Sequence, residues 1–550
     1  MIRSLSTKFK ISSMFKFNSL FLIIFILGLY YSKDYGVTWD EDWARVKNGK
    51  QNLAYILKKF HLDNYISVPK HIPELDVRNV GAYGAFFDVI SVIIEQSFSI
   101  TDKGKIFLMR HKLNFTFYFF GVYLYFLFSK KIFSSKYLAF IGSMFYLLSP
   151  RLLAHGCFNM RDSIAQSLVA CSLLPLLISY QTLSRKWTIL AGMILGLGIT
   201  TRLPVMYLPV LFIVLILLKG IFKPNSKNNF NKLIKISILF LSSVIVSVFI
   251  FWPFLWESPL INFKYIWNSL AFHPWDGDIH FLGKIIKGDN LPWYYIPIWI
   301  GITLPIQYLF FIFVSLLIFT KNKAKNKVII NFNIFMWFGF IAPIIIVISL
   351  KSIIYDGWRH LFFLYPFLAY FMTIGFEQSY QYISKFIRLG IRQIILLLSL
   401  LTFSGPLYTI INMHPHQQVY YNSLAGKDPM KLFEGDYWGS SMRHGVEWIL
   451  ENDDSEQITI ISPETCRAIW SWRFLNEYDQ SRANYVMKKL DVGLDKYSGD
   501  YFVTNFRGDW QDYKKLKLKS FAPYTNEVFS INVNNMKIIS VYKLNTGNYP

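Results

Sequence analysis

Long apolar stretches recur along this 550-residue chain, and the loops between them sort their charges by side. A helix needs about 20 apolar residues to cross the hydrocarbon core of a bilayer, and the pattern predicts about eleven such helices. They fall at residues 17–33, 106–128, 137–150, 163–180, 187–201, 203–218, 234–254, 293–319, 332–350, 360–377 and 393–411. One set of loops carries Lys8, Lys10, Lys16, Lys130, Lys131, Lys136, Arg185, Lys186, Lys219, Lys223, Lys321, Lys323, Lys385, Arg388 and Arg392, with Glu377 as its one clear acid. The opposite loops hold Asp40, Glu41, Asp162, Glu257, Asp276, Asp278 and Asp356. The lysine and arginine bias places the first set in the cytoplasm. An odd number of spans then puts the amino terminus inside and the carboxyl terminus outside.

Composition agrees. The chain is 53% hydrophobic and 18% aromatic, with a mean hydropathy of +0.32, which is more apolar than an ordinary soluble domain. The formal charge of +23 sits in short loops between apolar spans. That location argues for the positive-inside bias and against a nucleic-acid partner, and no zinc-knuckle, helix-turn-helix or RNA-recognition pattern is present. Cys157, Cys171 and Cys466 are too few and scattered for a disulfide framework or a zinc site. The basic start followed by Phe17 to Tyr31 resembles a secretory leader, but bulky Tyr30-Tyr31-Ser32-Lys33 follows it. We expect an uncleaved first span.

The expected organisation is an α-helical polytopic membrane domain over residues 1–411 and a small α/β extracytoplasmic domain over 412–550. Two outer loops, 34–105 and 255–292, are too long to be mere connectors. The first contains an amphipathic piece, Ala54 to Phe60. It also contains an apolar piece, Ala82 to Phe98, which Asp88 and Glu95 interrupt, so it is expected to lie along the membrane face. In the tail, Ser441 to Leu450 reads as a helix. Gln457–Ile461 and Tyr501–Thr504 read as strands, and Val528–Val533 with Lys537–Lys543 as a hairpin around Asn534-Asn535.

Four groups of residues on the outer side could carry chemistry. Thr38-Trp39-Asp40-Glu41-Asp42 follows the first span; its acids are either a solvated loop or a base sharpened by partial desolvation. Ser149-Pro150-Arg151, His155, Asn159, Arg161 and Asp162 join two spans. There Pro150 ends one helix, and Asp162 either complements the dipole of the next helix or faces the same cavity as Asp40. Arg110-His111, Arg202 and Arg359-His360 are cations at membrane depth, costly unless paired or wet. Arginine also binds phosphate through paired hydrogen bonds, so these suit a lipid-linked phosphate, the alternatives being interfacial snorkelling and, for Arg359, pairing with Asp356. Finally, Phe272-His273-Pro274-Trp275-Asp276-Gly277 and Leu291-Pro292-Trp293-Tyr294-Tyr295-Ile296-Pro297 form either an interfacial aromatic belt or platforms for sugar rings and prenyl chains. No Walker or Rossmann glycine pattern is present, nor is a Ser–His–Asp or HExxH arrangement.

At these residues the chain resembles the protein-mannosyltransferase-like branch of the glycosyltransferase C (GT-C) superfamily, and bacterial membrane proteins related to the aminoarabinose transferase of lipid A. The resemblance runs over most of the membrane part. It rests on Asp40-Glu41, Arg110-His111, Ser149-Pro150-Arg151…His155…Asn159-Met160-Arg161-Asp162, Trp252-Pro253-Phe254-Leu255-Trp256, Leu291 to Pro297, and Asp356-Gly357-Trp358-Arg359-His360-Leu361. Where lysine commonly precedes the acid, this chain has Arg161. The tail, with Tyr420-Tyr421-Asn422 and Gly435-Asp436-Tyr437-Trp438-Gly439, departs from the best-studied enzymes and leaves the acceptor open.

The resemblance implies an inverting transfer of a sugar from a polyprenyl-phosphate donor to a lipid, glycan or protein acceptor on the outer face of a bacterial inner membrane. Asp40 would be the base, with Glu41 its rival, and Asp162 would orient the acceptor or hold a cation. Arg202 and Arg359, then Arg110 and His360, would face the donor phosphate. Arg151, His155, Trp293 and Tyr294 would touch acceptor or sugar. Relatives differ over a divalent metal, and no ligand set stands out in this chain. The competing expectation is a lipid-linked glycan flippase or polymerase, which would share the spans and arginines but not need the two early acids.

Overall fold

The computed structural model describes residues 2–62, 83–133, 135–221, 227–271, 275, 277–319, 327–464, 467–488, 499–507 and 526–544. Each expected span contains helix. In chain order these are α1 (Ile2–Tyr31), α2 (Trp39–Trp43), α3 (Gln51–Lys59), α4 (Phe86–Ser97), α5 (Lys103–Ile132), α6 (Lys136–Leu147), α7 (Pro150–Phe158), α8 (Asp162–Thr182), α9 (Arg185–Thr201), α10 (Tyr207–Ile221) and α11 (Lys227–Ile250). They continue with α12 (Pro259–Ala271), α13 (Tyr295–Thr303), α14 (Ile306–Phe319), α15 (Lys327–Ser349), α16 (Tyr365–Ile383), α17 (Ile391–Asn412), α18 (Met442–Asn452) and α19 (Glu477–Arg482). Among the described residues seven helices are long and apolar enough to cross a membrane. The expected span at 137–150 is part of a bent pair: α6 stops, Pro150 opens α7 in the first-turn position that tolerates a missing N–H, and the two axes diverge by 68°.

The bundle packs by close backbone approach as well as by side-chain volume. Gly192 and Gly196 are one turn apart on α9 and lie against Ser243 and Ser247 of α11. A methyl group on Gly192 would sit 2.7 Å from the Ser243 Cβ. Such small-residue faces let helices approach in a solvent that gives apolar surfaces no reason to associate. The outward faces stay apolar, with Ile238 and Ile245 on α11 and Leu400 and Leu401 on α17 exposed.

The long loops and the tail gather at one end of the bundle. Their described parts are more ordered than a surface loop. Asp88 and Glu95 of α4 are buried, so that helix turns its acids inward. The segment between α12 and α13 forms a two-stranded hairpin, β1 (Asp278–Phe281) with β2 (Lys284–Lys287); Phe272-His273-Pro274 and Asp276 lie outside the described residues. After α17 the chain from Met413 to Trp438 packs its apolar side chains into the same core as the membrane helices. A second core begins at Met442 and holds α18 against a five-stranded sheet.

The sheet contains β3 (Ile458–Pro463), β4 (Ala483–Lys488), β5 (Tyr501–Thr504), β6 (Glu527–Val533) and β7 (Met536–Lys543), in the order β4-β3-β5-β7-β6. The β6–β7 hairpin turns at Asn534 and Asn535, both at positive φ, as asparagine tolerates. β4 and α19 were not foreseen from the sequence.

A substitution pair tests the close-packing account. A Cβ on Gly375 of α16 would overlap the Phe311 carbonyl of α14, whereas one on Gly301 of α13 would meet nothing within 4 Å. Gly375→Ala should therefore lower the unfolding temperature in detergent, while Gly301→Ala should leave it unchanged or raise it by the helix-propensity gain of about 0.5–1 kcal/mol. Equal effects would refute the packing argument.

Candidate active site

The segment after α1 solves a local problem with two neighbouring acids. Thr38 and Glu41 form a capping box at the start of α2: Glu41 Oε2 accepts from the Thr38 N–H at 2.6 Å and from its hydroxyl at 3.0 Å. The other Glu41 oxygen lies 2.7 Å from His111 Nε2. Glu41 is thus fully buried and its carboxylate occupied. Asp40, one residue earlier in the same turn, is exposed, and its carboxylate has no hydrogen bond or ion pair among the described residues. It opens onto a small cleft lined also by Thr38, Asn159, Arg161, Arg202, Arg359 and Trp438.

Asp162 is buried behind the cleft lining, where it holds two of the lining arginines. Its Oδ1 is 2.5 Å from Arg202 Nη2 and its Oδ2 is 3.1 Å from Arg359 Nη1. Asn159 positions it, donating to Oδ2 at 2.8 Å while its own Oδ1 accepts from the Asp162 N–H at 3.0 Å. That side-chain oxygen caps the first turn of α8, where the helix dipole favours a carboxylate. Arg202 reaches in because α9 ends at Thr201 and the chain turns at once into Leu203-Pro204. Arg359 begins the short 3-10 segment before α16. Its guanidinium is held at 3.2 Å from Asp356 and stacks near Tyr355, Tyr437 and Trp438.

The other expected residues divide. Arg161 lies in the cleft, its guanidinium 4.0 Å from the Tyr83 ring centre and 3.6 Å from Asp88. Arg110 is fully buried and makes its ion pair with Asp88 at 3.0 Å, behind the cleft lining. His360 packs its ring 4.7 Å from Tyr355. Arg151 is buried between the faces of Trp299 and Tyr421, and His155 packs against Phe362 and Trp438 beside Asn159. Trp293 and Tyr294 are exposed at the surface and contact each other; neither lines the cleft. Among the described residues no three histidine, cysteine or carboxylate side chains converge as a bound cation would require, and both Asp162 oxygens face arginines. Cys157 and Cys171 are buried free thiols; Cys466 lies outside the described residues.

Asp88 and Trp438 are the site neighbours that sequence reasoning missed. Asp88 reads as a break in an apolar run, yet such an acid demands a partner, and Arg110 and Arg161 supply it. Trp438 comes from the tail and could only be placed once the tail folds back over the bundle.

No protein-family model matches the chain, and no curated protein matches it. Solved structures do. The apo structure of ArnT from Cupriavidus metallidurans aligns over 96% of this chain and 98% of its own, at 11% identity and a TM-score of 0.52. The same protein bound to undecaprenyl phosphate aligns over the same shares at 10% identity and a TM-score of 0.50. The chain has the fold of a GT-C glycosyltransferase. An Archaeoglobus fulgidus oligosaccharyltransferase aligns over 88% of this chain and 70% of its own at 12% identity, with a TM-score of 0.45. With this fold and its apolar helices, the molecule is a multi-pass membrane protein.

Two predictions come from this geometry. Asp162→Asn leaves two guanidinium groups buried without their shared carboxylate and should cost about 3–5 kcal/mol, whereas Asp40→Asn, exposed and unpartnered, should change stability by less than about 0.5 kcal/mol. Denaturation of the two purified variants checks this, and a stable Asp162→Asn protein would contradict it. The second concerns pH. Burial pushes the carboxyl of Asp356 up to about 6. Burial, reinforced by Asp356, pushes that of Glu434 up to about 8. Both groups bind protons more tightly when folded than unfolded. Their contribution is therefore fully present below about pH 4 and fades as pH rises through 8. Unfolding temperature should fall between pH 5 and 9, and Glu434→Gln should flatten the slope; an unchanged slope would show that Glu434 does not titrate there.

Proposed function

We propose that this protein is an inverting glycosyltransferase that moves a sugar from a polyprenyl-phosphate donor to an acceptor hydroxyl, with Asp40 as the base. The observation that carries the reading is an exposed, unpaired carboxylate in the same cleft as three guanidinium groups. The fold supports it, as does the undecaprenyl phosphate bound to the ArnT neighbour.

In this reading the acceptor hydroxyl lies against Asp40, which takes its proton as the oxygen attacks the anomeric carbon. The bond from that carbon to the phosphate oxygen breaks on the opposite face, and its electron pair leaves with the lipid phosphate. Negative charge on the leaving oxygen is met by Arg202 and Arg359, with Arg161 beside them. Asp162 keeps the first two fixed before substrate arrives, so little reorganisation is needed as charge develops. It does not act as a second base, because both of its oxygens are engaged by arginines. Glu41 has no role in proton transfer; it holds the turn that presents Asp40. Arg110 supports the site through Asp88 rather than by touching phosphate.

In this reading the cleft lies on the outer face of a bacterial inner membrane, a side that the charge sorting of the loops supports; no nucleotide supply exists there, and a preformed lipid-phosphate donor provides the driving force. The amino terminus is then cytoplasmic and the sheet domain external.

The test uses purified protein in detergent with polyprenyl-phosphate sugars, followed by detection of free polyprenyl phosphate. Wild type should release it, Asp40→Asn should release at least about 100-fold less, and Arg202→Ala should fall by about 100-fold or more, the effect of losing one preorganised donor. A flippase would release none in any variant. Undiminished release by Asp40→Asn would remove Asp40 as base.

A further inference from the structure

A second cavity lies at the junction of the sheet domain and the start of α5. Its volume is about 440 Å³, within the range of small-molecule sites. Trp470, Trp472 and Tyr485 supply aromatic walls, and Lys103, Arg467 and Arg473 supply cations. Among the described residues no carboxylate belongs to the lining.

Every polar side chain of the lining can donate. Arg473 is committed, 2.6 Å from Asp42. Lys103 and Arg467 are exposed and form no ion pair among the described residues; Arg467 donates to the Glu464 carbonyl at 3.3 Å, and Lys103 lies 4.8 Å from the Trp472 ring centre. Exposed cations set among aromatic rings with no carboxylate between them favour a ligand that carries negative charge. Indole and phenol faces add flat apolar platforms of the kind that pack against a ring.

The position gives the site its meaning. Arg473 holds Asp42, and the Arg467 guanidinium lies 5.1 Å from the Trp39 ring centre. Both contacts are to α2, the short helix that presents Asp40 to the cleft. The cavity and the cleft therefore flank one helix, about 10 Å across.

We propose that this cavity binds an acidic sugar residue of the acceptor, one bearing a carboxylate or a phosphate, and so makes the protein selective for anionic glycans. Its role as an acceptor site rests on the transfer reading above; the binding itself does not. Anchoring the acceptor there would hold the rest of its chain within reach of Asp40, converting acceptor attack into a step between prepositioned groups.

Calorimetric titration of the full-length protein in detergent tests the proposal without any turnover, so failure of binding and failure of transfer remain distinct. The probes are trigalacturonate, neutral galactotriose, a maltotriose monophosphate and inorganic phosphate. At least one of the two acidic trisaccharides should bind tenfold or more tightly than galactotriose, and which one does identifies the acid. Lys103→Gln/Arg467→Gln should erase that preference. Equal binding of acidic and neutral trisaccharides overturns the proposal, as does an acidic preference that survives the double variant. Inorganic phosphate binding as tightly as the preferred trisaccharide would overturn the sugar specificity.

Discussion

One carboxylate bridging two arginines organises the functional end of this molecule. Asp162 begins α8, Arg202 follows α9, and Arg359 precedes α16, so a single charge ties together three chain segments far apart in sequence. Each of these groups would be expensive at this depth alone. Together, with Asn159 donating to the shared oxygen, they exchange hydration for fixed partners, and the geometry must be good because the desolvation cost is large. Two cations to one anion leaves the cluster positive on balance. Asp356 lies beside Arg359; burial pushes its carboxyl up to about 6, so near neutral pH it is mostly ionised and offsets most of that excess. The clamp thus holds two guanidinium groups rigidly at the cleft, the kind of preorganised donor that stabilises a developing anion.

Much of the helical architecture was legible because apolar length is a direct consequence of bilayer solvation. Helix occurs at every expected span, and the hairpin around Asn534-Asn535 followed from turn chemistry. What escaped were features set by tertiary contact. The break between α6 and α7 was signalled by Pro150, but its angle was not. Gly192 and Gly196 read as ordinary small residues until α11 is seen against them. Strand β4 pairs in parallel with β3, and a parallel partner reached by a crossover leaves little local trace. Arg110 and Arg202 looked alike in sequence, each a cation at membrane depth, and only the fold separates the one that braces the site through Asp88 from the one that faces the cleft.

The adjacent acids Asp40 and Glu41 show how a helix start can sort chemistry. In a capping box the residue at the third position bends back over the turn, and at Glu41 that bond and the His111 contact occupy both carboxylate oxygens. The residue before it points away by roughly one hundred degrees of helical rotation, into the cleft. The Thr-x-x-Glu spacing that specifies this is present in the sequence, so the ranking of the two acids was available from capping rules alone.

The same short helix also joins the two halves of the protein. Arg443 of the sheet domain donates to the carbonyls of Lys33 and Tyr35 just before α2, Arg473 pairs with Asp42 within it, and Trp438 of the tail covers the cleft that Asp40 faces. Asp40 is therefore positioned jointly by the membrane bundle, through Glu41 and His111, and by the sheet domain, through Arg443 and Arg473. A shift of the sheet domain would move the exposed carboxylate relative to the Asp162 clamp, which belongs wholly to the bundle. The distance between Asp40 and the arginines is thus set at a domain junction, and the second cavity lies against the same short helix.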